Sequence, residues 1–204
     1  MATTVTPVKS TVKVEIGAER SLYFPITDEP ANAKPVYDKS IDMGHMVQAS
    51  LSITTASASI PGDNIIQVEV EEFVSGQADV ETTMNDLELN AKIYGHQYTE
   101  AGTEISSTND SSPNGGYAFI QNILTKDKKR IYRATFLHKV TAMASSEKQT
   151  AASKTPGSMT FANNKVSFKI LADNQGAWRS RQDFETLDDA VAFINSFAAA
   201  AAAS

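Results

Sequence analysis

Met46-Val-Gln-Ala-Ser-Leu-Ser-Ile-Thr-Thr55 is the stretch that sets the fold class. Val47, Ala49, Leu51 and Ile53 alternate with Gln48, Ser50, Ser52 and Thr54. Successive strand side chains point to opposite faces, so such a run has one face to bury and one to wet. The same period of two recurs outward in both directions. Val12, Val14 and Ile16 alternate with Lys13 and Glu15, and Ile66, Val68 and Val70 with Gln67, Glu69 and Glu71. Towards the other end, Val166, Phe168 and Ile170 alternate with Lys165, Ser167 and Lys169. Strands wetted on one side belong to antiparallel sheets, not to a parallel α/β core. Tyr117–Leu124 and Ile131–Val140 read as a hairpin through the charged turn Lys126-Asp-Lys-Lys129. The chain is therefore expected to be mainly β.

Two segments carry helical signals. In Asn85–Tyr94, Asn85 and Glu88 have capping-box spacing, Leu87, Ala91 and Tyr94 share a face, and Gly95 follows as a stop. In Thr186–Phe197, Thr186 and Asp189 repeat the capping pattern, and Leu187, Val191, Ile194 and Phe197 form the apolar stripe. Pro61-Gly-Asp-Asn64 and Asn114-Gly-Gly116 read as turns. Ser145–Ser158 and Thr27–Lys39 read as loops, the first long and polar enough to suggest a functional role.

The length of 204 residues fits one domain, with 1–40 as a lead or arm, 41–197 as the β domain and 198–204 as a tail. Apolar residues at 41% and charged residues at 21% suit a packed globular chain. No apolar run reaches the ~18 residues of a membrane span, so no membrane segment is expected. The start, Met1 to Lys9, lacks a basic head followed by an apolar run, so no secretory signal is expected. The absence of cysteine removes disulfides, thiolate ligands and cysteine nucleophiles, and suits synthesis in a reducing cytoplasm.

Net charge is −6, which argues against a general attraction to nucleic acid or anionic membrane. Its distribution is uneven. Ser40 to Ala91 holds nine acids and no Lys or Arg, whereas Lys126 to Arg181 holds twelve bases and three acids. Either the two blocks neutralise each other within the fold, or the molecule has an acidic and a basic side that meet between copies.

Signals of enzyme chemistry are weak. His45, His96 and His138 are isolated in sequence, with no HExxH or HxH spacing, and read as surface or core histidines with no metal or cofactor to hold. No GxGxxG, GxxxxGK[ST] or GxSxG occurs, so no catalytic residue is assigned. Lys126, Lys128, Lys129 and Arg130 read first as a solvated hairpin tip that blunts edge pairing. Trp178-Arg-Ser-Arg181 is a single aromatic–arginine pair, weak support for base stacking.

Taken in order, the motifs form a series: the strand Met46–Thr55, Ala58-Ser-Ile-Pro-Gly-Asp-Asn64, and a long acidic strand pair. Asn85-Asp-Leu87 leading to Ile93-Tyr-Gly-His96 follows, then Gly116-Tyr-Ala-Phe119 and a hairpin returning as Arg130–Lys139. The Thr/Ser/Lys loop, a strand over Met159–Ala172 and a helix ending Phe193-Ile-Asn-Ser-Phe197 complete it. From about Asp42 to Phe197 this resembles the major tail proteins of long-tailed, non-contractile bacteriophages. The resemblance implies a β-sandwich or barrel-like tail tube fold with one or two flanking helices. It also implies stacked hexameric rings that form the tube conducting DNA out of the virion. The implied partners are further copies of the chain, a tape measure protein, a tail terminator and a distal tail protein, with DNA passing through and no cofactor. Synthesis in a bacterial cytoplasm and residence in the phage tail follow from the same likeness. The chain departs from the pattern in its longer lead, Met1 to about Pro35.

On that reading Glu69, Glu71, Asp79 and Glu81 are candidates to line the lumen, where carboxylates repel phosphate. Lys126, Lys128, Lys129 and Arg130 become candidates for contacts between subunits, and Lys148 and Lys154 for contacts between rings. The alternative is a virion-surface or extracellular β-sandwich that binds or decorates. A single Trp and 8% aromatics speak against a carbohydrate platform.

Overall fold

The computed structural model describes residues 13–62, 65–147, 153–155, 158–160 and 163–199. In chain order the strands begin with β1 (Lys13–Asp28), β2 (Val36–Tyr37), β3 (Ile41–Asp42), β4 (Met46–Gly62) and β5 (Ile65–Thr82). After α1 (Leu87–Tyr94) come β6 (Gln97–Tyr98), β7 (Glu104–Ile105), β8 (Asn114–Thr125) and β9 (Arg130–Ala142). A 3-10 turn at Ala144–Ser146 precedes β10 (Ser153–Thr155), β11 (Ser158–Thr160), β12 (Asn164–Leu171), β13 (Arg179–Phe184) and α2 (Leu187–Ala199). Among the described residues the protein is mainly β, with an antiparallel sheet of nine strands and two helices.

That sheet runs β2-β1-β8-β9-β12-β5-β4, with β3 beside β1 and β13 beside β9. One edge of β9 is shared: β13 takes Tyr132–Leu137 and β12 takes Lys139–Ala142. Past this fork the sheet curls, so that β4 faces β1 and β8 across a cleft of about 470 Å³. The wrapped side holds Tyr23, Tyr117 and Phe168, with Tyr117 and Phe168 stacked at 5.3 Å and Tyr23 and Phe168 at 6.0 Å. Leu89 and Ile93 of α1 join this core. The other side of β1, β8 and β9 is covered by α2, whose Ala190 and Ile194 pack on Leu22, Phe24, Ile120 and Phe136.

Both faces of these three strands are thus covered, and each large side chain buried there contributes about 1.5–3 kcal/mol. The consequence is visible in the burial: Ser21–Phe24 and Gly115–Ile120 are buried without alternation. Period-two reading therefore stops at Ile16, although β1 runs on to Asp28. Register shifts between Glu15 and Gly17 and between Glu19 and Ser21, with Arg20 at φ 57°, break its alternation further.

Several expectations are corrected. Residues 13–28 are not an arm but an inner strand between β2 and β8, so the boundary at residue 40 does not hold; residues 1–12 lie outside the described residues. The lead's second half is not an open loop, because Val36 and Tyr37 return to pair with Asp28 and Ile26. Gly115 and Gly116 are not a turn. They sit in β8 because a Cβ at Gly115 would lie 2.5 Å from the Tyr23 ring, and one at Gly116 would lie 2.9 Å from Phe136. Within Ser145–Ser158, Ser153–Thr155 forms one strand of a small hairpin, and the strand expected over Met159–Ala172 is split into β11 and β12.

The helices follow their signals unequally. In α2, the Thr186 hydroxyl accepts from Asp189 N at 3.2 Å and donates to its carboxylate at 2.6 Å, a closed capping interaction. In α1, Asp86 is the N-cap without a side-chain bond, Glu88 pairs with Lys92 instead, and Leu87 is exposed. Gly95 ends α1 at φ 78°, where its N–H bonds the Ala91 carbonyl. Of the expected tail, Ala198 and Ala199 belong to α2, and 200–204 lie outside the described residues.

Candidate functional site

β4 and β5 pair from Met46 with Thr82 out to Gly62 with Ile65, yet β12 pairs β5 only from Gly76 to Thr82. Beyond Gly76 the two strands continue as a ribbon with no third strand among the described residues. Ile53, Val70 and Val74 on this hairpin are 43%, 48% and 55% exposed. β4 also ends the sheet, so its outer edge has no strand partner among the described residues. Unpaired edge amides and exposed β-branched residues together form a template for another chain.

The ribbon separates the four acidic candidates. Thr54 pairs with Ser75 but Thr55 pairs with Phe73, leaving Val74 unopposed. One extra residue exchanges the two faces for everything beyond it. Asp79 and Glu81 share a face with Ser50 and Gln48, and that face continues through Glu72, opposite Ala56. Glu69 and Glu71 pair with Ser59 and Ser57 and lie on the other face with Phe73. The Thr55 hydroxyl donates to Glu71 on that second face. A single acidic lining from these four residues is therefore not formed within one subunit. Glu72, which reading by alternation passes over, takes the place expected of Glu71.

Asp79 and Glu81 border a cleft of about 450 Å³ lined also by Gln48, Ser50, Lys165 and Ser167. Ser167 Oγ and Gln77 Nε2 donate to Asp79, and these bonds hold its carboxyl below the usual range. Glu81 is lowered by Asn163 Nδ2 at 2.8 Å and by Lys165 Nζ at 3.1 Å. Both stay ionised at neutral pH. The register also puts Lys165 opposite Glu81 and Lys169 opposite Gln77, so this face is of mixed sign.

Lys126, Lys128, Lys129 and Arg130 are exposed at the β8–β9 turn, where Lys128 has φ 60°. Lys129 is held by Glu185 at 2.6 Å, so the cluster is partly engaged within the subunit. Lys154 lies on β10 opposite Met159, and Lys148 lies outside the described residues. Lys129, Arg133, Lys139 and Lys165 of the basic block pair with Glu185, Asp183, Glu29 and Glu81. Of these carboxylates only Glu81 comes from the acidic block. Among the described residues the two blocks meet at this one ion pair, which leaves charge available at the surface.

Two histidines that are isolated in sequence have partners in space. His138 Nε2 lies 2.8 Å from Ser180 Oγ, and its Nδ1 lies 3.7 Å from Asp173 Oδ2. The residue types are those of a hydrolytic triad, but 3.7 Å is too long for the orienting hydrogen bond. His138 is 2% exposed and packs edge-on against Phe136 and Phe197. Asp173 Oδ1 instead accepts from Gln175 N and Ala177 N, closing the turn before β13. This is a buried network, and burial lowers the His138 pKa. His96 gathers Glu104, Asp110 and Glu147 around it.

No protein-family model matches the chain, and no curated protein matches it. No described helix is long and apolar enough to cross a membrane.

Proposed function

We propose that this protein is a tail tube subunit, which assembles into stacked hexameric rings forming a virion conduit for DNA. The observation that carries the reading is the β4–β5 ribbon: a seventeen-residue strand whose outer edge has no strand partner among the described residues, with exposed valines, running out from the packed body. Main-chain pairing along such an edge joins copies, and head-to-tail repetition closes rings or extends filaments. The mixed-sign face with Asp79 and Glu81 is the proposed lumen wall. Carboxylates ionised at neutral pH there keep DNA from adhering, and Glu81 partly offsets the charge of Lys165. Glu72 extends that wall, and Glu69 and Glu71 face a neighbouring copy. Tape measure protein, terminator and distal tail protein remain the proposed partners.

The decorating or sugar-binding alternative has less support. Trp178 stacks on Phe73 at 4.7 Å and carries Arg179 over its ring at 4.2 Å, so the one indole already has contacts on it. Size exclusion with light scattering and negative-stain microscopy of the purified chain test the proposal. Rings or hollow filaments support it. A chain that stays monomeric at high concentration, is solitary in its native particle and binds a glycan array overturns it.

A further inference from the structure

We propose that His96, Asp110 and Glu147 bind a divalent first-row transition metal such as zinc, with Glu104 orienting the imidazole. His96 directly follows the α1 stop at Gly95, Glu104 lies on β7, Asp110 on the loop before β8, and Glu147 directly after the 3-10 turn. His96 Nδ1 lies 2.7 Å from Glu104 Oε1 and 3.3 Å from Ser106 Oγ. Donation from Nδ1–H to Glu104 fixes the tautomer and leaves the Nε2 lone pair free, the carboxylate–histidine arrangement that supports metal ligands. Nε2 faces Glu147 Oε2 at 3.9 Å and Asp110 Oδ2 at 4.0 Å, too far for hydrogen bonds. His96, Glu104 and Glu147 each place a donor atom within 4.8 Å of the others.

Two further observations favour a cation at this position. The His96 side chain is only 8% exposed, yet Nε2 has no hydrogen bond among the described residues. Three carboxylates converge on one imidazole, and no Lys or Arg pairs with any of them among the described residues. Such crowding of like charge is unfavourable unless a cation offsets it. Imidazole with carboxylates suits zinc and its neighbours, whereas calcium and magnesium prefer oxygen alone. A tetrahedral ion with bonds of ~2.0 Å sets its ligands roughly 3.3 Å apart, so Glu147 closes on Nε2 by about 0.6 Å and Asp110 by about 0.7 Å. The side chains of Asp110 and Glu147 are 19% and 31% exposed, and Asp110 Oδ2 also accepts from Ser107 N at 2.7 Å, which holds it beside the imidazole. The ion would tie the segment between α1 and β8 to the end of the β9 connection.

The test is calorimetric titration of untagged, chelator-treated full-length chain with zinc chloride, with calcium chloride as a second arm. One equivalent of zinc binds the wild type, and the free subunit suffices, so the outcome is independent of tube assembly. His96→Ala and Glu147→Gln each abolish the site, and Glu104→Gln weakens it about 10–100-fold. Glu147 is partly exposed, so its variant keeps the fold if His96→Ala does not. Absence of zinc binding to the wild type overturns the site. So does unchanged affinity in folded Glu147→Gln, or calcium binding tighter than zinc.

Discussion

The body of the sheet and the ribbon that leaves it share one kind of pairing and differ in what covers them. In the body, Tyr23, Phe24, Tyr117, Phe136 and Phe168 are at most 1% exposed, enclosed by the curl of the sheet and by α2. In the ribbon, Val70 and Val74 are about half exposed and no third strand supports β5 among the described residues. An isolated two-stranded ribbon is marginal in water, whereas a sheet packed on both faces is a cooperative unit. Stability therefore resides in the body, and the ribbon's order is coupled to what it meets. The body is a scaffold, and the ribbon is the part a partner must complete.

The largest effect is expected where the body is densest. Phe168→Ala empties the space between the Tyr23 and Tyr117 rings, and such truncations cost ~3–5 kcal/mol. Urea unfolding measures it; a loss below ~1 kcal/mol would mean the inner core is not the stabilising unit. Next comes Gly115→Ala, whose new methyl meets the Tyr23 ring at 2.5 Å. Overpacking of this kind costs about 1–3 kcal/mol, and a thermal melt equal to wild type would show that the ring yields freely.

A smaller effect is expected at the body's rim. Arg133 and Lys13 hold Asp183 so that its carboxyl titrates at about 2. The unfolded chain binds its proton first, so this contribution is complete above the ordinary value of 3.8 and is lost as pH falls through about 2. Asp183→Asn should cost on the order of 1 kcal/mol at neutral pH, with solvent screening included. The gap to wild type should narrow only below about pH 4, in urea titrations at stepped pH. A gap that is constant down to pH 2 would assign the loss to something other than the charge.

The same comparison explains what was legible in the sequence. Alternation revealed the strands wet on one face, such as Lys165–Ile170, and the antiparallel class with them. It failed at Ser21–Phe24, because α2 covers the side that would otherwise be polar, and a strand covered twice has no period to detect. Capping chemistry located α2, and in α1 the expected Ala91 and Tyr94 are buried, but Leu89 and Ile93 join them in the core while Leu87 is exposed. The acidic candidates were legible as a charge block but not as a surface. Nothing in Val74-Ser-Gly76 announces that a residue will be left unopposed. His96 was invisible as a centre because its carboxylates lie 8, 14 and 51 residues away, joined only by the fold.

The smallest expected effect tests the boundary between the two regions. Inserting one serine between Thr54 and Thr55 gives Val74 a partner on β4, so that Phe73 comes onto the face of Ser75 and uninterrupted alternation returns along β5. Glu69 and Glu71 then move to the face of Asp79 and Glu81, and Glu72 moves off it. If the ribbon is outside the cooperative unit, urea unfolding of the body should shift by no more than ~0.5 kcal/mol. Hydrogen exchange should show β1, β8 and β9 protected as in wild type. Ring or filament assembly should fail, because the ribbon now presents the wrong side chains to its neighbour. Loss of more than ~2 kcal/mol from the body would break the division, making the ribbon part of what holds the scaffold together. Normal assembly of the insertion variant would break it from the other side, since a contact that tolerates exchange of both faces is not reading side chains.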